Sequence, residues 1–245
     1  MSCHKRTLII GAGSTIARAL LEAVLADTAT DQVICVSRAV DADLADRQGD
    51  RLLWLRSDYS EESIAQVVSQ LVPFKSSFSR VFICNGVLHS ETAKPEKRLE
   101  NLTSESLHEI FHVNAVLPML WVKHLGTLLN GARLCRVAVF SARIGSITDN
   151  RRGGWYSYRA SKAALNMLLK TASIEYARRA PNVRFLVFHP GTTDTPLSRP
   201  FQGSVPKGKL FTPQFVADRL MAQVDQAVDA SEIVFIDWDG KPIAW

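Results

Sequence analysis

Apolar residues along the chain alternate between two patterns. Seven short runs are apolar almost without interruption: Thr7–Ile10, Gln32–Val36, Leu52–Leu55, Arg80–Cys84, Leu134–Phe140, Val183–Phe188 and Ile233–Ile236. Such runs suit strands buried on both faces of a parallel sheet. Between them, apolar residues recur at helical spacing. Thr15–Leu25 carries Ile16, Ala19, Leu20, Ala23 and Val24 on one stripe, and Glu61–Leu71 carries Ile64, Val67, Val68 and Leu71. Ser104–Leu129 predicts a long helix kinked at Pro118, which cannot donate a helical hydrogen bond. Gly154–Arg179 predicts a second long helix, stopped before Pro181. Pro213–Val228 predicts a third, with Thr212 as cap and proline in the first turn.

This order of elements predicts an α/β fold. It is a doubly wound parallel sheet of about seven strands, of the Rossmann type, with helices on both faces. The 245 residues suit one domain spanning 1–245. Residues 191–211 show no regular pattern and hold Pro196, Pro200, Gly203, Pro206 and Gly208. A loop of that length inside a compact domain predicts a substrate lid.

Composition narrows the function without choosing it. The chain is 47% hydrophobic and 22% charged, as globular domains are. The net charge of +5 is spread over short groups such as His4-Lys5-Arg6, Arg151-Arg152 and Arg178-Arg179. None resembles a nucleic-acid arm, so no nucleic-acid partner is expected. Arg151-Arg152-Gly153-Gly154 is read as a loop rather than an RNA-binding repeat. Cys3, Cys35, Cys84 and Cys135 form no C-x-x-C pair, and three of them lie in strand-like runs. Reduced, buried thiols and a reducing compartment are expected, with no metal site. His108 and His112 are four residues apart but lack the glutamate of a zinc motif, and are read as helix surface or packing. No apolar run reaches membrane-spanning length. A cytoplasmic protein is expected.

Chemistry first shows itself after the first strand. Gly11-Ala12-Gly13-Ser14-Thr15-Ile16-Ala17 forms a β–α turn whose N–H groups can face a pyrophosphate at a positive helix end. Thr15 and Ala17 stand where a G-x-x-x-G-x-G spacing would put glycine, so the turn alone does not separate a nucleotide site from a plain tight turn. The second strand ends at Ser37-Arg38 with no carboxylate, which favours a 2′-phosphate over a free ribose hydroxyl, hence NADP(H) over NAD(H). Arg6, before the turn, is a possible second positive charge.

Tyr158-Arg159-Ala160-Ser161-Lys162 places tyrosine and lysine one helical turn apart on one face. A free tyrosine has a pKa of about 10, and a nearby ammonium lowers it toward neutrality. The phenol can then protonate a carbonyl oxygen, or deprotonate an alcohol in reverse. Alone the spacing is commonplace; its place after the fifth strand is not.

With these motifs in this order, the whole chain resembles the short-chain dehydrogenase/reductase family. The resemblance gives roles to further residues. Asp58 matches an adenine-contacting aspartate, and Asn85-Gly86 matches part of an N-N-A-G element. Asn114 matches the asparagine of a proton relay through water. Pro190, Gly191, Thr193 and Thr195 match a P-G-x-x-x-T element beside the nicotinamide. Gly145-Ser146-Ile147, Gly153-Gly154-Trp155-Tyr156 and the ending Asp237-Trp238-Asp239-Gly240-Lys241-Pro242 are similar to the C-factor and sniffer-type carbonyl reductases. Trp155, Tyr156 and the 191–211 loop are expected to shape the substrate pocket.

The function implied is NADPH-dependent reduction of a carbonyl compound to an alcohol. Tyr158, Lys162, Asn114 and Ser141 are the catalytic set, in a homodimer or homotetramer built on helices 104–129 and 154–179. Gly11, Gly13, Ser14, Thr15, Ile16, Arg38, Asp58, Asn85, Gly86, Tyr158, Lys162, Pro190, Gly191, Thr193 and Thr195 are the cofactor set. The family's catalytic serine is usually the second of a pair, here Ser141-Ala142, so that position reads alanine. Ser141 turned inward is the favoured substitute; Ser146 and no serine at all are the alternatives. A second reading is a protein that senses NADP(H) with little or no turnover.

Overall fold

The computed structural model describes residues 5–226 and 233–245. Its elements run in chain order as β1 (Arg6–Ile10), α1 (Thr15–Ala26), β2 (Gln32–Ser37), α2 (Ala42–Gln48), β3 (Leu52–Arg56), α3 (Glu61–Leu71) and β4 (Phe78–Ile83). They continue as α4 (Ser104–Phe111), α5 (Leu117–Leu129), β5 (Cys135–Phe140), α6 (Tyr156–Arg179), β6 (Val183–His189), β7 (Thr192–Thr193), β8 (Leu210–Phe211), α7 (Pro213–Gln226) and β9 (Val234–Asp237).

Seven strands form one all-parallel sheet in the order β3-β2-β1-β4-β5-β6-β9. Side chains alternate across each strand, so each strand feeds two cores. Leu8 and Ile10 of β1, Val137 and Val139 of β5, and Val187 of β6 pack with Ile64 and Val67 of α3, Trp121 of α5 and Leu165 of α6. Ile9, Ala138 and Phe188 point the other way, onto Leu20 and Val24 of α1 and Val216 and Leu220 of α7. Each fully buried Val, Leu, Ile or Phe among them stabilises the fold by about 1.5–3 kcal/mol. Burial on both faces is why the strands read as continuously apolar.

The predicted elements are present, and the differences have local causes. Asp41 builds α2, which the sequence pattern did not suggest, by accepting a hydrogen bond from the Leu44 N–H (3.0 Å). Helix α6 starts at Tyr156 rather than Gly154, because Gly153, Gly154 and Trp155 all take left-handed φ values (65°, 66° and 54°). The kink expected at Pro118 falls in the preceding turn. Residues 112–116 form a π turn in which the Leu117 N–H reaches the His112 carbonyl. Pro118 has no N–H for the Asn114 carbonyl four residues back, and the wide turn absorbs that missing bond. The predicted end of α7 at Val228 lies outside the described residues, as do Cys3 and His4.

The 191–211 segment is ordered. Strands β7 and β8 pair in parallel, and residues 199–204 form a 3-10 turn. The Ser198 hydroxyl donates to the Thr193 carbonyl (2.5 Å), and Gln202 Nε2 donates to Asp194 (2.9 Å).

Candidate active site

The C-terminal ends of β1, β4, β5 and β6 open into one cavity of about 960 Å³. Strand order reverses between β1 and β4, where open α/β sheets hold ligands. The cavity runs from Gly13, Ser14, Thr15 and Ile16 past Asn85 and Gly86 to Tyr158 and Lys162. It ends among Trp155, Phe201 and the 191–211 segment.

The glycine turn is built for a close approach. The N–H groups of Gly11 and Ala12 both donate to the Val36 carbonyl (2.9 and 3.0 Å). A side chain on Gly11, at φ 81°, would stand 3.1 Å from the Cys84 backbone. Ser14 caps α1 by accepting from the Ala17 N–H (3.3 Å), which leaves the first helical turn facing the cavity. Two buried polar atoms on the wall, Asn85 Oδ1 and Thr193 Oγ1, have no hydrogen-bond partner among the described residues. A polar ligand running along this wall would satisfy them.

Tyr158 and Lys162 both line the cavity, one turn apart on α6. Lys162 Nζ donates to the Phe140 carbonyl (3.0 Å) at the end of β5. A Cβ on Gly86 would lie 3.4 Å from both Lys162 Nζ and Asn114 Oδ1, so those two groups converge on one glycine. Asn114, in the π turn, is wholly buried. Its amide accepts from the Val87 N–H (2.8 Å) and donates to the Val87 carbonyl (2.8 Å) and to Ser161 Oγ (3.1 Å). The side chain is thus spent on bracing the β4 loop against α6.

The electrostatics depart from expectation. An ammonium was to lower the tyrosine; instead burial alone pushes Tyr158 up to about 12 and Lys162 down to about 7. Both groups lose more solvation than they gain from each other. Tyr158 therefore holds its proton at neutral pH.

Ser141 also lines the cavity, but its hydroxyl donates to Asn166 Oδ1 (2.7 Å), not to Tyr158. Alternation along β5 turns Val139 and Ser141 to the same face, and Asn166 lies two turns beyond Tyr158 on α6. Ala142 lines the cavity beside it. Ser146 is buried, and its hydroxyl accepts from the Asp149 N–H (3.1 Å).

Pro190, Gly191, Thr193 and Thr195 reach the cavity; Tyr156 does not, and lies exposed. Arg38 and Asp58 are exposed and do not line it. Asp58 accepts from the N–H and hydroxyl of Ser60 (2.8 Å each), at the start of α3. Burial pushes the Tyr59 phenol up, and the charge of nearby Arg38 offsets part of that rise. Arg6 is no partner of the turn. It opens β1, about 15 Å of strand away from the turn. There it donates to Gln32 (2.8 Å) and lies over Phe74. Arg18 stands nearer the end of β2, stacked on Trp54 and paired with Asp41 (2.6 Å).

Several residues escaped the sequence reading. Glu96 is buried, and its carboxylate accepts from the N–H (3.2 Å) and the hydroxyl of Ser157, next to Tyr158. It caps α6 from another loop, and no local spacing announces it. Phe201 packs on Trp155 (5.0 Å between ring centres). His189 lines the cavity, and burial pushes its imidazole down to about 4. Among the described residues no group of three potential metal ligands occurs, and no helix is long and apolar enough to cross a membrane.

A curated relative, the 1-hydroxy-2-glutathionyl-2-methyl-3-butene dehydrogenase of Rhodococcus sp. (strain AD45), is 27% identical over 186 residues, 76% of each chain. The carbonyl reductase Sniffer of D. melanogaster superposes with a TM-score of 0.82 at 20% identity, over 99% of this chain and all of that one. An NADPH-bound carbonyl reductase from chicken fatty liver gives 0.81 at 20% identity, over 99% of each. The family profile described as short chain dehydrogenase matches residues 5–204, and the chain belongs to that family.

Proposed function

We propose that the protein is an oxidoreductase that reduces a carbonyl compound with NADPH, and that Tyr158 is its acid. The observation that carries this is the convergence of Tyr158 and Lys162 on one cavity that begins at the glycine turn, with buried Asn114 packed behind Gly86 of its wall. The first turn of α1 would take the pyrophosphate, with Thr15 giving a hydroxyl where family members have glycine. Asn85, Thr193 and Lys162 would hold the nicotinamide end, and Arg38 the 2′-phosphate. When bound, the nucleotide supplies a hydride. Tyr158 gives its proton to the substrate oxygen, and a phenol that stays protonated at neutral pH suits that direction. Lys162 steadies the phenolate left behind. The Asn114 carbonyl, for which Pro118 has no N–H to give, would pass a replacement proton through water. Ser141 braces α6 through Asn166 and leaves the acid to work without a serine partner.

Self-association is part of the reading. Helix α6 exposes Met167, Leu168 and Ile174, a surface that supports a homodimer or homotetramer. A cytoplasmic setting is consistent with the free, buried thiols of Cys35 and Cys135. Tyr158→Phe tests the mechanism. Turnover should fall about 100-fold or more while NADPH affinity is kept, because only the transferable proton is lost. Undiminished turnover would refute the assignment.

A further inference from the structure

The cavity wall that follows β5 carries a charge pattern that hydride transfer does not need. The loop between β5 and α6 contributes Arg143, Arg151 and Arg152 to the lining, and the first turn of α6 adds Arg159. Asp149 is the one acidic residue on that lining, and Arg143 approaches it (3.6 Å) while pairing with Asp237 (2.9 Å). Arg151 and Arg152 are exposed, and neither meets a carboxylate at ion-pair distance among the described residues. Arg159 is pinned by the carbonyls of Gly153 (3.1 Å) and Gly154 (2.9 Å). Its pKa is lowered, first by burial and then by the charge of Arg152, with Asp149 opposing the shift more weakly. Like charges are thus held together at the mouth of a cavity, a cost that an anion would relieve.

These cations do not serve the nucleotide's phosphates by position. The glycine turn and Arg38 follow β1 and β2, whereas the arginine loop follows β5, beyond the switch point. Trp155 and Phe201 line the same cavity as the arginines, and Trp155 packs edge-on to Tyr158 (6.3 Å). The left-handed turn at Gly153, Gly154 and Trp155 sets this spacing, and the Trp155 N–H holds it by donating to the Glu96 carbonyl (2.5 Å).

We infer that the substrate is an amphipathic carbonyl compound bearing a carboxylate. Its apolar body lies against Trp155 and Phe201, and its carboxylate meets Arg151 and Arg152, with Arg159 behind them. Guanidinium forks match planar carboxylates in geometry as well as charge. This inference rests on the carbonyl-reductase reading for its chemistry, but the charge preference can be measured apart from turnover.

The test compares para-carboxybenzaldehyde with para-methylbenzaldehyde, of similar size, by NADPH absorbance. The wild type should favour the carboxylate about tenfold or more in kcat/KM. The double variant Arg151→Gln, Arg152→Gln should erase most of that ratio through KM. Melting temperature and NADPH affinity serve as its folding control. Raising salt from ~0.1 M to ~1 M, which shortens the screening length from about 10 Å to about 3 Å, should lower the wild-type ratio similarly. A wild-type ratio near one, or one unchanged by the double variant, overturns the inference. If neither aldehyde is reduced, the carbonyl-reductase reading fails for such substrates. Calorimetry of the NADP⁺-loaded protein with para-carboxybenzyl and para-methylbenzyl alcohol then decides the charge preference: tighter binding of the carboxylate upholds it, and equal binding ends it.

Discussion

Ser141 and Ala142 separate two explanations of catalysis that the sequence leaves open. Ser141→Ala removes a 2.7 Å hydrogen bond to Asn166 Oδ1 inside the protein. Asn166 Nδ2 is already buried without a partner, so the variant leaves that amide unsatisfied at both ends. Stranding a buried polar atom costs about 1–3 kcal/mol. For a chain of this size each kcal/mol lowers Tm by about 2–4 °C, so Tm should fall by about 2–12 °C. If Ser141 only braces α6, kcat should change less than about tenfold; a hydroxyl that stabilised the substrate oxygen would cost about 100-fold or more. Ala142→Ser is the converse. Ala142 lines the cavity in an extended conformation (φ −150°, ψ 145°), so a hydroxyl there adds a donor without backbone rearrangement. It should raise kcat by about tenfold or more. Thermal melts and steady-state rates on one accepted aldehyde decide the matter. A 100-fold loss of kcat in Ser141→Ala with an unchanged Tm would refute the bracing role, and a silent Ala142→Ser would remove the idea of a weakened reductase.

Four further outcomes are expected. Lys162 sits lower folded (about 7) than free (10.5), so between those values the unfolded chain binds more protons and stability rises with pH. Tyr158, shifted the other way, counters this only above pH 10. Melts of the nucleotide-free protein at about pH 7 and pH 9.5 should show the rise, and Lys162→Met should flatten it; equal slopes would refute it. His189, lowered to about 4, removes stability as pH falls from 6.5 toward 4, a loss that His189→Gln should reduce in acid melts. Arg38→Asp should reduce or reverse a preference for NADPH over NADH in fluorescence titrations, and equal wild-type affinities would remove the assignment. Light scattering at micromolar concentration should find a dimer or tetramer, and Ile174→Glu with Met167→Glu should shift it toward monomer; a wild-type monomer would contradict the α6 interface.

The sequence by itself determined what depends on periodicity within one element. Strands buried on both faces cannot hide their apolar runs, so the seven-stranded sheet and its longer helices were legible from Thr7 to Ile236, while the short α2 was not. Tyr158 and Lys162 share a helix, and four residues is one turn whatever surrounds it. Gly11 and Gly13 are tied to a β–α turn by their neighbours in the chain. Wherever two elements must meet, the sequence ran out. Ser141 could be placed on a strand end, but its partner, Asn166, comes 25 residues later on another element. Glu96 caps α6 from a loop 61 residues away, through contacts that no spacing encodes. Arg6 and Arg38 both looked close to the glycine turn, yet Arg6 opens the strand whose far end carries that turn. The pKa values were least legible of all. The i, i+4 spacing suggested attraction between Tyr158 and Lys162, but only the packed structure shows how much water each has lost. Desolvation is a property of everything that surrounds a group, so it was decided by the fold and not by the motif.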